Sequence, residues 1–138
     1  MKPLNKQFAP KSVMPEKVIQ FGEGNFLRAF VDWIIWNMDQ KTDFNGRVVV
    51  VQPIEKGMAD MLNGQDCLYH VNLQGRENGQ PVNTLERIDV ISRALNPYTQ
   101  HAAFMALAAQ PEIRFVISNT TEAGITFDPS CKIDDAPS

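Results

Sequence analysis

The spacing of apolar residues changes along the first third of the chain and marks where elements begin and end. Residues 17–21 form a short β-rich run that stops at Gly22, which predicts a strand. From Asn25 onward, apolar side chains recur at intervals of three and four, as on one face of a helix. The four valines at 48–51 show no alternation, which is typical of a parallel strand covered on both faces. Strand, helix and strand in this order predict a βαβ unit.

The remaining pattern extends this unit into a larger sheet. It predicts a helix at 55–62, hairpin arms at 67–73 and 81–82, a strand at 87–92, a helix at 98–109 and a strand at 113–118. Residues 1–15 are polar, contain three prolines and are predicted to be an extended lead-in. We therefore predict an α/β, Rossmann-like fold for residues 16–138. Its sheet is mostly parallel, with helices on both faces and an inserted β-hairpin.

Composition and charge narrow the class of protein. A chain of 138 residues with 43% hydrophobic and 21% charged residues is typical of one globular domain. The net charge of −3 and the lack of a basic cluster argue against binding to nucleic acid or to an anionic membrane. No apolar run approaches the roughly 20 residues of a membrane-spanning helix, and the first residues lack a secretory signal. Two cysteines make no disulfide framework, so we expect a cytoplasmic protein.

Two glycines stand where the first predicted strand passes into the first helix. At such a junction the first backbone N–H groups have no helical acceptor and carry a partial positive charge. A phosphate approaches them closely only if no Cβ intervenes, which Gly22 and Gly24 allow. The third glycine of the usual dinucleotide fingerprint is replaced by Leu27. We interpret the turn as a nucleotide-phosphate site, with a plain tight turn as the alternative.

A dinucleotide site also needs an acid after the second strand, where a carboxylate accepts from the ribose hydroxyls. Glu55 is the acid found there and would favour NAD over NADP; Gln52 is a neutral alternative for the same contact, and Glu55 is otherwise an exposed loop residue. Polar residues also follow the last predicted strand, at the sheet edge where ligands bind. They either contact the cofactor or cap a helix: Asn119, Thr120 and Thr121.

The sequence does not predict a metal or nucleophile site. Cys67 and His70 are three apart, which on a strand directs them to opposite faces, and His101 belongs to a predicted helix. Arg28 and Asp32 are four apart on the first helix, so they pair on its surface or Arg28 reaches a phosphate.

The glycine turn carries a family resemblance. The pattern G-x-G-x-F-x-R-A is met by Gly22, Gly24, Phe26, Arg28 and Ala29. It resembles the polyol-type long-chain dehydrogenases of the mannitol dehydrogenase family, which also accommodate a residue such as Leu27 there. Further segments resemble the uronate-reducing members of that family, at 48–55, 64–69, 114–125 and 134–137. The resemblance and the turn together give these candidate NAD-binding residues, besides Glu55 and the polar residues after the last strand: Ile19, Gln20, Phe21, Gly22, Glu23, Gly24, Asn25, Phe26, Leu27, Arg28 and Ala29.

The resemblance implies an activity and a longer molecule. The activity is reversible, metal-independent, NAD-dependent hydride transfer between D-altronate and D-tagaturonate, a step of galacturonate breakdown. It implies a helical C-terminal domain that binds the sugar acid and supplies a lysine as general acid/base. No residue here matches that lysine motif, so we assign no catalytic residue and expect residues 16–138 to be an incomplete NAD-binding domain, inactive alone. An open half-sheet also favours self-association.

Three other functions fit parts of the same sequence. The alternatives are a fructuronate reductase or mannitol dehydrogenase relative, a stand-alone NAD-sensing regulatory module, and a methyltransferase. The inserted hairpin disfavours a sensing module, because such modules alternate strand and helix regularly. Methyltransferases also place glycines after the first strand, but their adenosyl ligand has no pyrophosphate.

Overall fold

A computed structural model describes residues 4–7, 9–120 and 127–134. The first strand, β1 (Glu16–Phe21), leads into a helix that begins at Asn25, passes through a π-helical turn (Leu27–Val31) and continues as α1 (Asp32–Lys41). The elements that follow are β2 (Arg47–Val51), α2 (Ala59–Gly64), β3 (Tyr69–Glu77), β4 (Gln80–Ile88), β5 (Ile91–Leu95), α3 (His101–Ala106) with a 3-10 turn (Leu107–Ala109), and β6 (Phe115–Ser118).

The main sheet has four parallel strands in the order β5-β2-β1-β6. Its two inner strands are β1 and β2, and β1 pairs with β2 on one side and with β6 on the other. Counted along the chain, the main-sheet strands have the spatial order 3-2-1-4, which begins the doubly wound arrangement of dinucleotide-binding domains. The predicted Rossmann-like fold class is confirmed.

The core forms on both faces of the sheet. All five residues of β2 are buried, as the four valines predict. On one face, Val48 and Val50 pack with buried residues of α1, α2 and the hairpin. On the other face, Val49 and Val51 pack with Leu107 at the end of α3. Helices therefore cover both faces, which confirms the prediction.

The hairpin differs in extent from its prediction. β3 and β4 pair in antiparallel fashion over nine residues each and meet at a tight turn of Asn78 and Gly79. Both turn residues have positive φ, 49° and 80°, which suits a two-residue hairpin turn. Most side chains of the ribbon are exposed, so its sequence lacks the apolar pattern that marks a buried strand. Residues 74–77, which lie between the two predicted arms, belong to β3, and the predicted strand at 87–92 is divided between β4 and β5.

Two helices begin later than their predictions. α2 begins at Ala59 instead of residue 55, and α3 begins at His101 instead of residue 98. Before α3, the Asn96 side chain accepts a hydrogen bond from the backbone N–H of Tyr98, 3.1 Å away, which holds a turn where the helix was predicted to start. None of the helices in the described ranges has the length and apolarity needed to cross a membrane.

The lead-in folds back onto the amino-terminal end of the sheet. Residues 5–7 form a turn, and residues 10–15 have no regular structure; residues 1–3 and 8 lie outside the described residues. Lys11 Nζ donates to the carbonyl oxygens of Asp66 (3.1 Å), Ser92 (3.3 Å) and Ile91. Burial of this amino group lowers the pKa of Lys11 below its ordinary value. The described part of the lead-in is thus attached to the domain.

A buried ion pair joins the end of α1 to the start of β2. Arg47 donates to the Asp39 carboxylate at 2.6 Å, and both side chains are less than 5% exposed. The second Asp39 oxygen accepts from the backbone N–H of Gly46 at 3.0 Å, while Arg47 also donates to Ser12. The connection between α1 and β2 is therefore fixed by charge as well as by packing.

We expect Asp39→Ala to lower the free energy of unfolding by about 3–5 kcal/mol, because it leaves the buried Arg47 without its carboxylate. Urea denaturation measures the change. The control is Asp43→Ala in the same connection, where the side chain is exposed and a change within about 0.5 kcal/mol is expected. Equal effects of the two substitutions would contradict a stabilising role for the pair.

Candidate functional site

The glycine turn lies at the carboxyl end of β1, next to the carboxyl end of β6. This is where the strand order reverses, and open α/β sheets bind ligands outside such a position. The backbone N–H of Gly22 donates to the Val51 carbonyl at 2.9 Å. Gly22 has φ of +115°, and a Cβ there would lie 3.0 Å from Leu27 Cδ1. The turn therefore requires glycine at 22, and the side chain at the third-glycine position packs directly beneath it.

Gly24 faces open space. A Cβ built on it would have no heavy atom of the described residues within 4 Å. The helix starts at Asn25, and the N–H of Arg28 donates to the Gly24 carbonyl at 3.2 Å. The N–H groups before Arg28 in this first turn have no acceptor within the helix, so the positive end of the helix points at the space beside Gly24.

A cleft of about 240 Å³ opens in front of this turn. Its walls come from the ends of β1, β2 and β6 and from the first turn of the helix. The lining residues are Gly22, Glu23, Gly24, Phe26, Leu27, Pro53, Ile54, Met58 and Asn119. Six of them are among the predicted cofactor residues, so the fold brings most of the predicted turn and one residue after β6 to one place.

Other predicted residues lie outside the lining. Ile19 belongs to the core beneath the sheet, and Phe21 packs edge-on against Phe104, with ring centroids 6.0 Å apart. Gln20 is fully buried. Thr120 is exposed, and Thr121 lies outside the described residues. A contact of any of them with a cofactor stays a prediction.

Three more predicted residues, Asn25, Arg28 and Ala29, line a second cleft that faces β3. Arg28 Nε donates to the Glu23 carbonyl at 2.9 Å, and its terminal nitrogen donates to Asn25 Oδ1 at 2.7 Å. The Asn25 side chain is thus engaged by Arg28. Asp32 is buried, so the predicted surface pair of Arg28 with Asp32 is wrong.

The two candidates for the ribose contact have different environments. Gln52 is buried: its Nε2 donates to the carbonyls of Ile54 (2.7 Å) and Glu55 (3.0 Å), and its Oε1 accepts from the N–H of Ala59 at 3.0 Å. Gln52 therefore holds the loop after β2 and has no amide hydrogen directed to a ligand. Glu55 is exposed and lies outside the cleft lining. Its role as ribose acceptor stays a prediction.

The cleft contains an acid that was predicted only as part of the turn. Glu23 is 8% exposed, and its Oε1 accepts from the backbone N–H of Met58 at 3.2 Å. Gly57 makes this approach possible, since a Cβ there would lie 2.6 Å from Gln52 Cδ and would also overlap Glu23 Oε1. A carboxylate thus joins the glycine turn to the loop before α2. Gly57 was the sequence signal for a close approach at this loop.

A buried polar cluster lies behind the turn. Gln20 Nε2 donates to the Gly22 carbonyl (3.1 Å) and to Asp32 Oδ2 (3.4 Å), and the Tyr69 hydroxyl lies 3.2 Å from the same Asp32 oxygen. Tyr69 also donates to the Arg28 carbonyl at 2.9 Å. Burial raises the pKa of Asp32 to about 7 and moves the pKa of Tyr69 above its ordinary range. This cluster was not predicted, although an aspartate among apolar helix positions was a signal for it.

Among residues 4–7, 9–120 and 127–134, no three His, Cys, Asp or Glu side chains gather in a way that would hold a metal ion. Cys67 is buried and Cys131 is exposed. Burial raises the pKa of the Cys67 thiol to about 11, which opposes formation of a reactive thiolate.

Relatives in sequence share almost the whole chain. Altronate oxidoreductase of Phocaeicola vulgatus is 76% identical over 137 residues, and altronate oxidoreductase of Bacteroides thetaiotaomicron is 75% identical over the same length. The altronate oxidoreductase of Shigella sonnei is 48% identical over 138 residues. Each alignment covers 99% of this chain but 29% of the relative.

Solved structures share the fold. A ternary complex of Pseudomonas fluorescens mannitol 2-dehydrogenase with NAD and D-mannitol matches with a TM-score of 0.68 and 23% identity, over 86% of this chain and 26% of that one. A substrate-free D-sorbitol dehydrogenase matches with a TM-score of 0.75 and 19% identity, over 94% of this chain and 29% of that one. At such identities these matches support the fold. The sequence profile of the mannitol dehydrogenase Rossmann domain matches residues 16–135, and the chain therefore belongs to the mannitol dehydrogenase family.

Proposed function

We propose that this chain is the NAD-binding part of an oxidoreductase that interconverts D-altronate and D-tagaturonate. The observation that carries the proposal is the open space beside Gly24, faced by the first helical turn at the point where the strand order reverses. The names of the relatives with 76% and 75% identity support the substrate. The NAD in the mannitol 2-dehydrogenase complex supports the cofactor.

The groups around the cleft fit the parts of NAD. The free N–H groups of the first helical turn suit the pyrophosphate, because they combine hydrogen-bond donors with the positive end of the helix. Glu55 remains the predicted partner of the ribose hydroxyls, and Glu23 is a second carboxylate already inside the cleft. Either acid would repel the additional phosphate of NADP. When bound, NAD supplies the hydride acceptor for oxidation of an alcohol.

The sugar acid and the proton transfer belong to a larger molecule in this proposal. The chain spans 29% of the length of the altronate oxidoreductases it matches. We assign the acid/base and the groups that recognise the substrate to the part of those enzymes that the chain does not cover. The role of this chain is then to bind and orient the cofactor.

A stand-alone NAD-sensing module is the second candidate, since it would use the same cleft without turnover. The family assignment favours an oxidoreductase over this candidate and over a methyltransferase. A fructuronate reductase or mannitol dehydrogenase activity would retain the NAD site and change only the substrate, so a comparison of substrates with the full-length protein separates these activities.

We expect Gly24→Val to abolish NADH binding, because two methyl groups would fill the space beside the first helical turn. NADH fluorescence titration measures the loss, and circular dichroism checks that the fold is retained. The control is Gly75→Val in β3, where a Cβ would likewise have no heavy atom of the structurally described residues within 4 Å and which lies far along the chain from the turn. Unchanged binding by the Gly24 variant would contradict the phosphate site.

We expect this chain to support turnover when it replaces the matching N-terminal part of the Phocaeicola vulgatus enzyme. The 76% identity makes the new internal contacts close to the original ones. The chimera should oxidise D-altronate with NAD, whereas the chain alone should not. A folded chimera that binds NADH but does not oxidise D-altronate would favour the sensing module.

A further inference from the structure

We propose that Asp32 is a positioning residue for the glycine turn and that it acts as a neutral carboxylic acid, whose ionisation loosens the turn. Its effect on NADH binding rests on the proposed function above. The contacts of Asp32 with the turn involve only this chain's own residues and are tested without a nucleotide.

Asp32 is connected to both backbone segments that shape the cleft. Gln20 joins its Oδ2 (3.4 Å) to the carbonyl of Gly22 (3.1 Å), which is the first residue of the turn. Tyr69 lies between the same oxygen (3.2 Å) and the carbonyl of Arg28 (2.9 Å), which is in the first part of the helix. A change at one buried carboxyl therefore reaches the turn through Gln20 and the helix through Tyr69.

The buried cluster has more hydrogen-bond acceptors than donors. Among residues 4–7, 9–120 and 127–134, two buried oxygens, Gln20 Oε1 and Asp32 Oδ1, have no hydrogen-bond partner. A carboxylate and an amide oxygen only accept, so an ionised Asp32 would leave both acceptors unpaired in a dry interior. A proton on Asp32 removes the buried charge and converts one carboxyl oxygen into a donor. The neutral acid is therefore the form that this interior accommodates better.

The surrounding groups do not supply a full counter-charge. The titratable and charged groups that act on Asp32 are Tyr69 from β3, a neutral phenol, and Arg28 from the preceding turn. The Arg28 guanidinium instead donates to the Glu23 carbonyl and to Asn25. β1 contributes Gln20, which is neutral. On β4, Glu86 accepts from the indole of Trp33. Burial dominates over these contacts and raises the pKa of Asp32 to about 7.

Ionisation of Asp32 has a defined sign of effect. Because its pKa is raised in the folded chain above the ordinary value of 3.8, the stabilising contribution of the neutral acid is complete at low pH. It declines as the pH rises from the ordinary pKa through about 7, and once Asp32 is fully ionised no further loss from this group is expected. At pH values above the pKa of Asp32, the cluster carries a buried negative charge. We expect the side chains and water to rearrange around this charge, which weakens the contact of Gln20 with Gly22.

The first experiment follows the proton by NMR in this chain without nucleotide. We expect the Asp32 carboxyl carbon to titrate near neutral pH, and the amide signals of Gly22 and Gly24 to shift with the same midpoint. Asp32→Asn, which supplies an amide donor without a charge, should keep the fold and remove the shared midpoint from both glycines. Titration of Asp32 near about 4, its ordinary value, or glycine amides that ignore its midpoint, would overturn the proposal.

The second experiment measures NADH affinity about one pH unit below and one above that midpoint. We expect affinity of the original chain to fall by about three- to tenfold, the effect of about one weakened hydrogen bond. Asp32→Asn should bind like the protonated form at both pH values, whereas Asp32→Leu should bind weakly at both. Asp43→Asn, an exposed control, should keep the original dependence. A dependence that survives Asp32→Asn would overturn the positioning role.

The NMR titration and the NADH titration distinguish a failure of the Asp32 role from a failure of the proposed NAD site. Failure of the original chain to bind NADH at the lower pH would contradict the proposed function alone, and the NMR result would then decide the state of Asp32. Normal binding together with an ordinary titration of Asp32 would overturn the inference and leave the proposed function in place.

Discussion

The arrangement of the candidate site depends on the pairing of β1 with a parallel strand on each side. Because β1 lies inside the sheet, residues after the ends of the strands on either side of it line the cleft at the point where β1 passes into the helix. Gly22 makes that departure with a positive φ, and its N–H keeps a hydrogen bond to the end of β2. The helix that follows then starts with free N–H groups beside the open space at Gly24.

Opposite charges meet in this cleft. The positive end of the helix is on one side, while the carboxylate of Glu23 reaches across to the N–H of Met58 on the other. Gln52 closes the loop between them with three hydrogen bonds to backbone groups. The loop after β2 is therefore held by two side chains from the ends of neighbouring strands, which keeps the acid close to the turn without covering Gly24.

The local sequence pattern predicted the elements that are continuously buried and the turn that requires glycine. The four valines of β2 and the periodic helix after Asn25 identified the βαβ unit, and Gly22 and Gly24 identified the cleft. The long hairpin was underestimated because an exposed ribbon has no apolar signature. The different environments of Gln52 and Glu55, and the inward position of Asp32, arise from contacts between residues far apart in the chain. Spacing along the sequence carries no information about such contacts.

The edge strand β6 links the cleft to the edge of the sheet, where another strand can pair. Phe115 and Val116 are 51% and 65% exposed, and within the described residues β6 pairs only with β1. Its unpaired row of backbone groups is a place where a further strand, from the same polypeptide or another, can join in register. Asn119 follows β6 directly and lines the cleft, so a strand added at this edge would fix the position of a residue in the cleft wall. Assembly at this edge and occupancy of the cleft would then each favour the other.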